Sequence, residues 1–312
     1  MLIASILALL AACDKPQQPA ADVPPPPPQT AVTPTSIILF SVYGPREEPR
    51  LVPIGIADGG RVAPLSLDAE GWRVLDSLFF RKGAKLPIYR DGAASGEVEI
   101  VRGMWDANEG ALYTLPGCTD LAPQALGKLV TDGRVEASVE YLASTTPLAQ
   151  TKEKREAPRD PMAQGRTLAN SIAAASEVGD EELKHLEFIA RWLRTGAGPT
   201  GHTLLATYID PEGGDAGAGT GHTVQLTALA EDSAGVLSAS YQQVSSGEAR
   251  TVRFQRLVNH ADLDGDGVDE ILLEEWQYAQ VPEVAVLKYA QGKWRPVFRV
   301  SQNWCLDVKA RP

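Results

Sequence analysis

From residue 37 onward, apolar positions fall in short runs of strand length, separated by turn residues. Residues 37–43 form one such run. Residues 51–56 and 61–67 flank Asp58-Gly59-Gly60, and residues 85–90 and 97–102 flank a turn that opens with Asp91-Gly92. Apolar runs on either side of Asp-Gly steps predict hairpins. Val135, Ala137, Val139 and Tyr141 alternate with Glu136, Ser138 and Glu140, the period of a strand with one buried face. Trp72, Leu75, Leu78 and Phe79 keep helical spacing instead and predict a short helix over this β-rich part.

The stretch 144–160 is charged and carries prolines, with Thr151-Lys152-Glu153-Lys154-Arg155-Glu156 at its centre, so it reads as a linker. A helical pair is expected over 161–196. Residues 161–176 have few polar breaks, and Asp180 can cap a second helix through its carboxylate. In that helix Leu183, Leu186, Ala190 and Leu193 share a face, and Gly196 closes it. Past residue 197, strands are predicted at 203–209, 223–229, 236–242, 250–258, 271–276, 284–289 and 294–300. Short strands at this density fit a sandwich or a pair of propeller-type blades. The expected fold class is therefore α+β and mainly β: two β-rich parts, 37–143 and 197–312, flank the helical pair, and the second is a β-meander.

The first 36 residues follow another pattern. Leu2 to Ala12 is apolar or small apart from Ser5. Eleven residues are too few for a membrane span, which needs about 20, but suit the apolar region of a signal peptide. The run ends in Leu10-Ala11-Ala12-Cys13, which resembles the lipobox of bacterial lipoproteins. That resemblance implies cleavage after residue 12, a diacylglycerol on Cys13, and attachment to a membrane of the cell envelope. No Lys or Arg precedes the run, a departure that a start codon further upstream would account for. Residues 13–36 carry Pro16, Pro19, Pro24 to Pro28 and Pro34, and read as a polyproline stalk that could reach roughly 60 Å.

With Cys13 given to lipid, Cys118 and Cys305 remain. In an oxidising compartment two such cysteines are expected to pair, with two buried free thiols as the alternative. The 44% hydrophobic content supports a buried core, and the formal charge of −11, with no basic cluster, excludes nucleic acid as a partner.

One segment carries chemistry of its own. Asp262-Leu263-Asp264-Gly265-Asp266-Gly267-Val268-Asp269-Glu270 places five carboxylates in nine residues. Crowded in a tight turn they repel unless a cation joins them, and a hard divalent ion with oxygen ligands suits them. The segment resembles the calcium loop of FG-GAP and VCBS repeats. By that resemblance Asp262, Asp264 and Asp266 supply side-chain oxygens, Val268 its carbonyl and Glu270 the closing carboxylate, around a structural Ca2+. Glu270 stands where Asp is commoner, and the loop occurs once. An EF-hand fits less well, because its twelfth position would be Leu273. A solvated acidic turn without metal is the plain alternative.

Other signals are weaker. His202 and His222 recur in Gly-His-Thr, and paired strands could bring them together for zinc, although no third ligand is apparent. His260, two residues before the acidic loop, is expected to pack or hydrogen-bond there. Trp276, Trp294 and Trp304 read as core residues, with a glycan-stacking platform as the lesser reading. No Gly-x-Ser-x-Gly elbow or His-Glu-x-x-His helix is present, so no catalytic residues are expected. The sequence thus points to a non-enzymatic, lipid-anchored envelope protein of structural or binding role, with a protein or glycan as ligand. An enzyme without a linear signature and a propeller-like adhesion module are the rivals.

Overall fold

Strand alternation decides which side chains of the first part enter its interior. In the computed structural model, residues 30–106, 110–112, 123–130, 138–150, 157–158, 160–210, 221–233 and 235–301 are described. The elements in order are β1 (Ile37–Pro45), β2 (Arg50–Asp58), β3 (Arg61–Ala63), α1 (Ala69–Phe79), β4 (Lys85–Arg90), β5 (Ala93–Arg102), β6 (Trp105–Asp106), β7 (Ala111–Leu112), β8 (Ala125–Val130) and β9 (Ser138–Ser144). Strands β1, β9, β4, β5, β8 and β2 pair antiparallel in that order, and β2 pairs back to β1, so the sheet closes into a barrel. Ile38, Phe40 and Val42 point into it with Ile88, Val98, Ile100 and Ala143, while Leu39 points out. Helix α1 adds Leu75 to the interior, and Asp68 caps it by accepting the Gly71 N–H at 2.8 Å. The strand expected at 61–67 stops at Ala63, because Pro64 has no N–H to give a partner.

Next come α2 (Pro161–Ala175), α3 (Asp180–Leu183), β10 (Glu187–Leu193), β11 (Thr203–Ile209), β12 (His222–Ser233), β13 (Val236–Glu248), β14 (Phe254–Ala261), β15 (Glu270–Trp276), β16 (Glu283–Ala290) and β17 (Lys293–Ser301). The expected helical pair over 161–196 is corrected here. Its first member stands as α2, but the second is one turn long, and Glu187–Leu193 is a strand paired with β11. The residues Leu186, Phe188 and Ala190, spaced by two, pack into one cluster, and Phe188, Ile189 and Trp192 favour extended backbone. The C-terminal β part therefore starts at Glu187, ten residues before the expected boundary at 197.

Two four-stranded antiparallel meanders result, β10-β11-β12-β13 and β14-β15-β16-β17. They face each other through Leu205, Leu229, Ile271, Leu273, Ala285 and Leu287. The opposite face of the second sheet, with Leu272, Val284 and Val286, packs on Leu39, Ile54 and Leu142 of the barrel's outer side. Helix α2 covers the outer face of the first sheet with Ala169, Ile172 and Ala173. The order through the molecule is barrel, second sheet, first sheet, helix. Both faces of β15 and β16 are buried, which is why 271–273 and 284–287 read as unbroken apolar runs. The chain is mainly β with a minor helical part. Among the described residues no helix is long and apolar enough to cross a membrane.

Candidate metal centre

The acidic loop connects β14 to β15, and the pair Ala261 and Glu270 closes it at its base. Its shape comes from side chains that bond the loop's own backbone. Asp262 accepts from the N–H groups of Gly265 at 2.8 Å and Gly267 at 3.0 Å, one on each carboxylate oxygen. Asp264 accepts from Asp266 N–H at 3.3 Å, and Asp266 from Val268 N–H at 2.9 Å. Glu270 reaches back across the loop to Leu263 N–H at 2.9 Å. The turn needs left-handed backbone at Gly267, where φ is +88°, a conformation that disfavours any residue with a Cβ.

These bonds fold Asp262, Asp264 and Glu270 inward until one oxygen of each lies within 4.8 Å of the other two. The three side chains are almost wholly buried. Burial is the main reason the Glu270 carboxyl is pushed up to about 7, with the charge of Asp264 adding to it; the Leu263 N–H and Lys288 pull it partly back. Asp262 is raised for the same first reason, against the two glycine N–H groups.

A cation already serves this cluster. Lys288 of β16 extends its ammonium to Asp264, to Asp266 at 2.7 Å and to Glu270 at 3.2 Å. It lies one residue past the pair Ile271 and Leu287, so it faces Glu270 across the hairpin. Burial works against the charged amine, but the bonds to Asp264 and Asp266 and the charge of Glu270 outweigh it and hold the Lys288 pKa above its ordinary value. The ammonium stands in for a cation, and the donors around it are carboxylate oxygens, the ligand type calcium and magnesium take. The residues present fit a hard divalent ion.

Of the five expected ligands, the structure brings together Asp262, Asp264 and Glu270. Asp266 is exposed at 42% and meets the others through Lys288. Val268 packs its side chain toward the core between the sheets. Asp269, the remaining acid, turns the other way: its Oδ2 lies 2.6 Å from Nδ1 of His260, both side chains being buried, and its N–H donates to Thr195 at 2.7 Å. His260 thus hydrogen-bonds at the loop as expected. Lys288 and the role of Asp269 as the partner of His260 are the parts that sequence reasoning missed. A Glu opening one strand and a Lys near the end of the next, with a hairpin between, is the signal that could have found Lys288.

The loop is also tied to the barrel. Ala149 and Asp262 form a β-bridge, and a cleft of about 120 Å³ runs between the loop and the barrel turn at Asp58 to Gly60. That volume is enough for an ion with water. A second cavity, of about 410 Å³, lies where the Asp91-Gly92 turn, β10 and His260 meet. Gly92 has φ +74°, and a Cβ there would come within 2.5 Å of the His260 ring. Arg191, paired with Asp91 at 3.0 Å, and Arg194 line this cavity.

The other expectations resolve simply. Antiparallel pairing of β11 with β12 puts His202 and His222 at opposite ends of the sheet, so they form no zinc pair. His202 is buried against the Thr200 carbonyl, and His222 meets Glu182 at 3.2 Å. Trp294 is a core residue whose indole N–H donates to buried Glu231 at 2.8 Å, and Trp276 stacks on Phe254. Cys13, Cys118, Cys305 and Trp304 lie outside the described residues. No protein-family model, curated protein or solved structure matches the chain.

Proposed function

We propose that this chain is a lipid-anchored envelope protein with a structural or binding role, whose β14–β15 loop takes up one structural calcium ion. The observation that carries the metal half is the convergence of three buried carboxylates within 4.8 Å. Asp262, Asp264 and Glu270 would hold the ion, with Asp266 and the Val268 carbonyl completing the set. Calcium would supply charge neutralisation that fixes the loop between the barrel and the second sheet. The lipid half rests on the Leu10-Ala11-Ala12-Cys13 segment.

The binding or structural reading rests on the sequence, which carries neither a Gly-x-Ser-x-Gly elbow nor a His-Glu-x-x-His helix. The enzyme alternative would find its acid–base couple in the buried His260–Asp269 pair, beside the cavity of about 410 Å³. The adhesion-module alternative needs blade after blade, and two meanders do not close a propeller.

Thermal unfolding of the chelator-stripped protein tests the metal half. Calcium at about 100 times its dissociation constant is expected to stabilise by about 2.7 kcal/mol and raise Tm by roughly 5 °C. Asp264→Ala should abolish the rise; an unchanged Tm in the parent protein sinks the proposal. For the anchor, cells fed a labelled fatty acid should label the parent chain and not Cys13→Ala.

A further inference from the structure

We infer that Lys288 is a built-in counter-ion that competes with the metal, so that the loop alternates between a lysine-neutralised and a metal-neutralised state. This rests on the calcium reading of the loop and adds to it how the site is regulated. The oxygens that hold the ammonium are Oδ2 of Asp264, Oδ2 of Asp266 and Oε1 of Glu270. Their partner oxygens accept backbone N–H groups, as do both oxygens of Asp262. Asp264 and Glu270 belong to the three-carboxylate cluster that would hold a divalent ion with Asp262, and the ion and the ammonium cannot both sit among those oxygens.

Lys288 is built for such an exchange. It comes from β16, outside the loop, and its side chain is 28% exposed, so it can swing to solvent without unpacking the core. The loop does not depend on it for shape, since the side chains that bond its backbone are the acids alone. Four carboxylates of the cluster against one ammonium leave an excess of negative charge, which keeps the site attractive to a divalent ion. Displacing the lysine weakens net binding relative to the same loop without it.

The test is calorimetric titration of calcium into the full chain and its Lys288→Gln variant, with Lys293→Gln as a charge control. Lys293 donates to the Ala239 carbonyl, away from the loop. Lys288→Gln should bind about tenfold tighter or more, and Lys293→Gln should match the parent. In parallel, reductive methylation of the unaltered chain should modify Lys288 faster with calcium than with chelator, a readout that needs no variant to fold. Equal affinities with Lys288 equally protected would overturn the inference and leave the calcium reading intact. Binding by Lys288→Gln alone would uphold the competition and overturn the calcium reading for the natural chain. No binding by either would end both.

Discussion

Glu270 concentrates the physics of the loop in one side chain. It is 1% exposed, closes the loop through Leu263 N–H, and faces Asp264 and Lys288. A carboxyl whose pKa rises from 4.5 to about 7 on folding binds its proton more tightly in the native state. Its contribution to stability is then fully present below about 4.5 and is lost as pH rises through about 7. Without calcium, stability should fall between about pH 5 and about pH 8, by on the order of 2–3 kcal/mol, in chemical unfolding series at each pH. Calcium should reverse that trend, because the ion needs the deprotonated form and gains affinity where the bare loop loses stability. A stability that rises with pH in chelator would refute this assignment. The acids themselves were legible in the sequence through their spacing. Their division of labour was not: Asp269 differs from its neighbours only in which way the strand entering at Glu270 turns it, toward His260.

At the scale of elements, apolar runs and the turn residues between them carried most of the fold. The runs at 271–276 and 284–289 became β15 and β16 within a residue or two, and Asp91-Gly92 became the β4–β5 turn with both φ values positive. The segment 187–193 misled because Leu183, Leu186, Ala190 and Leu193 satisfy a helical period, while Leu186, Phe188 and Ala190 also satisfy a period of two. Contact with α2 decided between them. Gly165 of α2 sits so close to β10 that a Cβ would lie 2.7 Å from that of Ala190. Gly165→Ala should therefore destabilise by about 1–2 kcal/mol in denaturant unfolding, although helix propensity alone favours alanine by about 1 kcal/mol. A gain in stability would mean that the helix does not press on this strand.

Over the whole molecule, the second sheet is the hinge of the design. Its two faces bury against different partners, the barrel and the first sheet, and its acidic loop bridges Ala149 in the segment that follows β9. Arg256 adds an ionic tie, bonding both oxygens of Glu140 on β9 at 2.6 Å and Glu274 beside it at 2.5 Å. The acidic loop and Arg256 thus both lie at a junction between two parts of the chain. This arrangement was not legible from the sequence, because Lys288 and Glu270 meet only through strand register, and the barrel reaches the loop from more than a hundred residues away.

The most direct measurement is anomalous diffraction from crystals of the chain equilibrated with calcium. One peak is expected between the carboxylates of Asp262, Asp264 and Glu270, with oxygens at about 2.3–2.6 Å and the Lys288 amine turned away. A loop still closed on Lys288 at saturating calcium, with no peak among those oxygens, would contradict the metal reading outright.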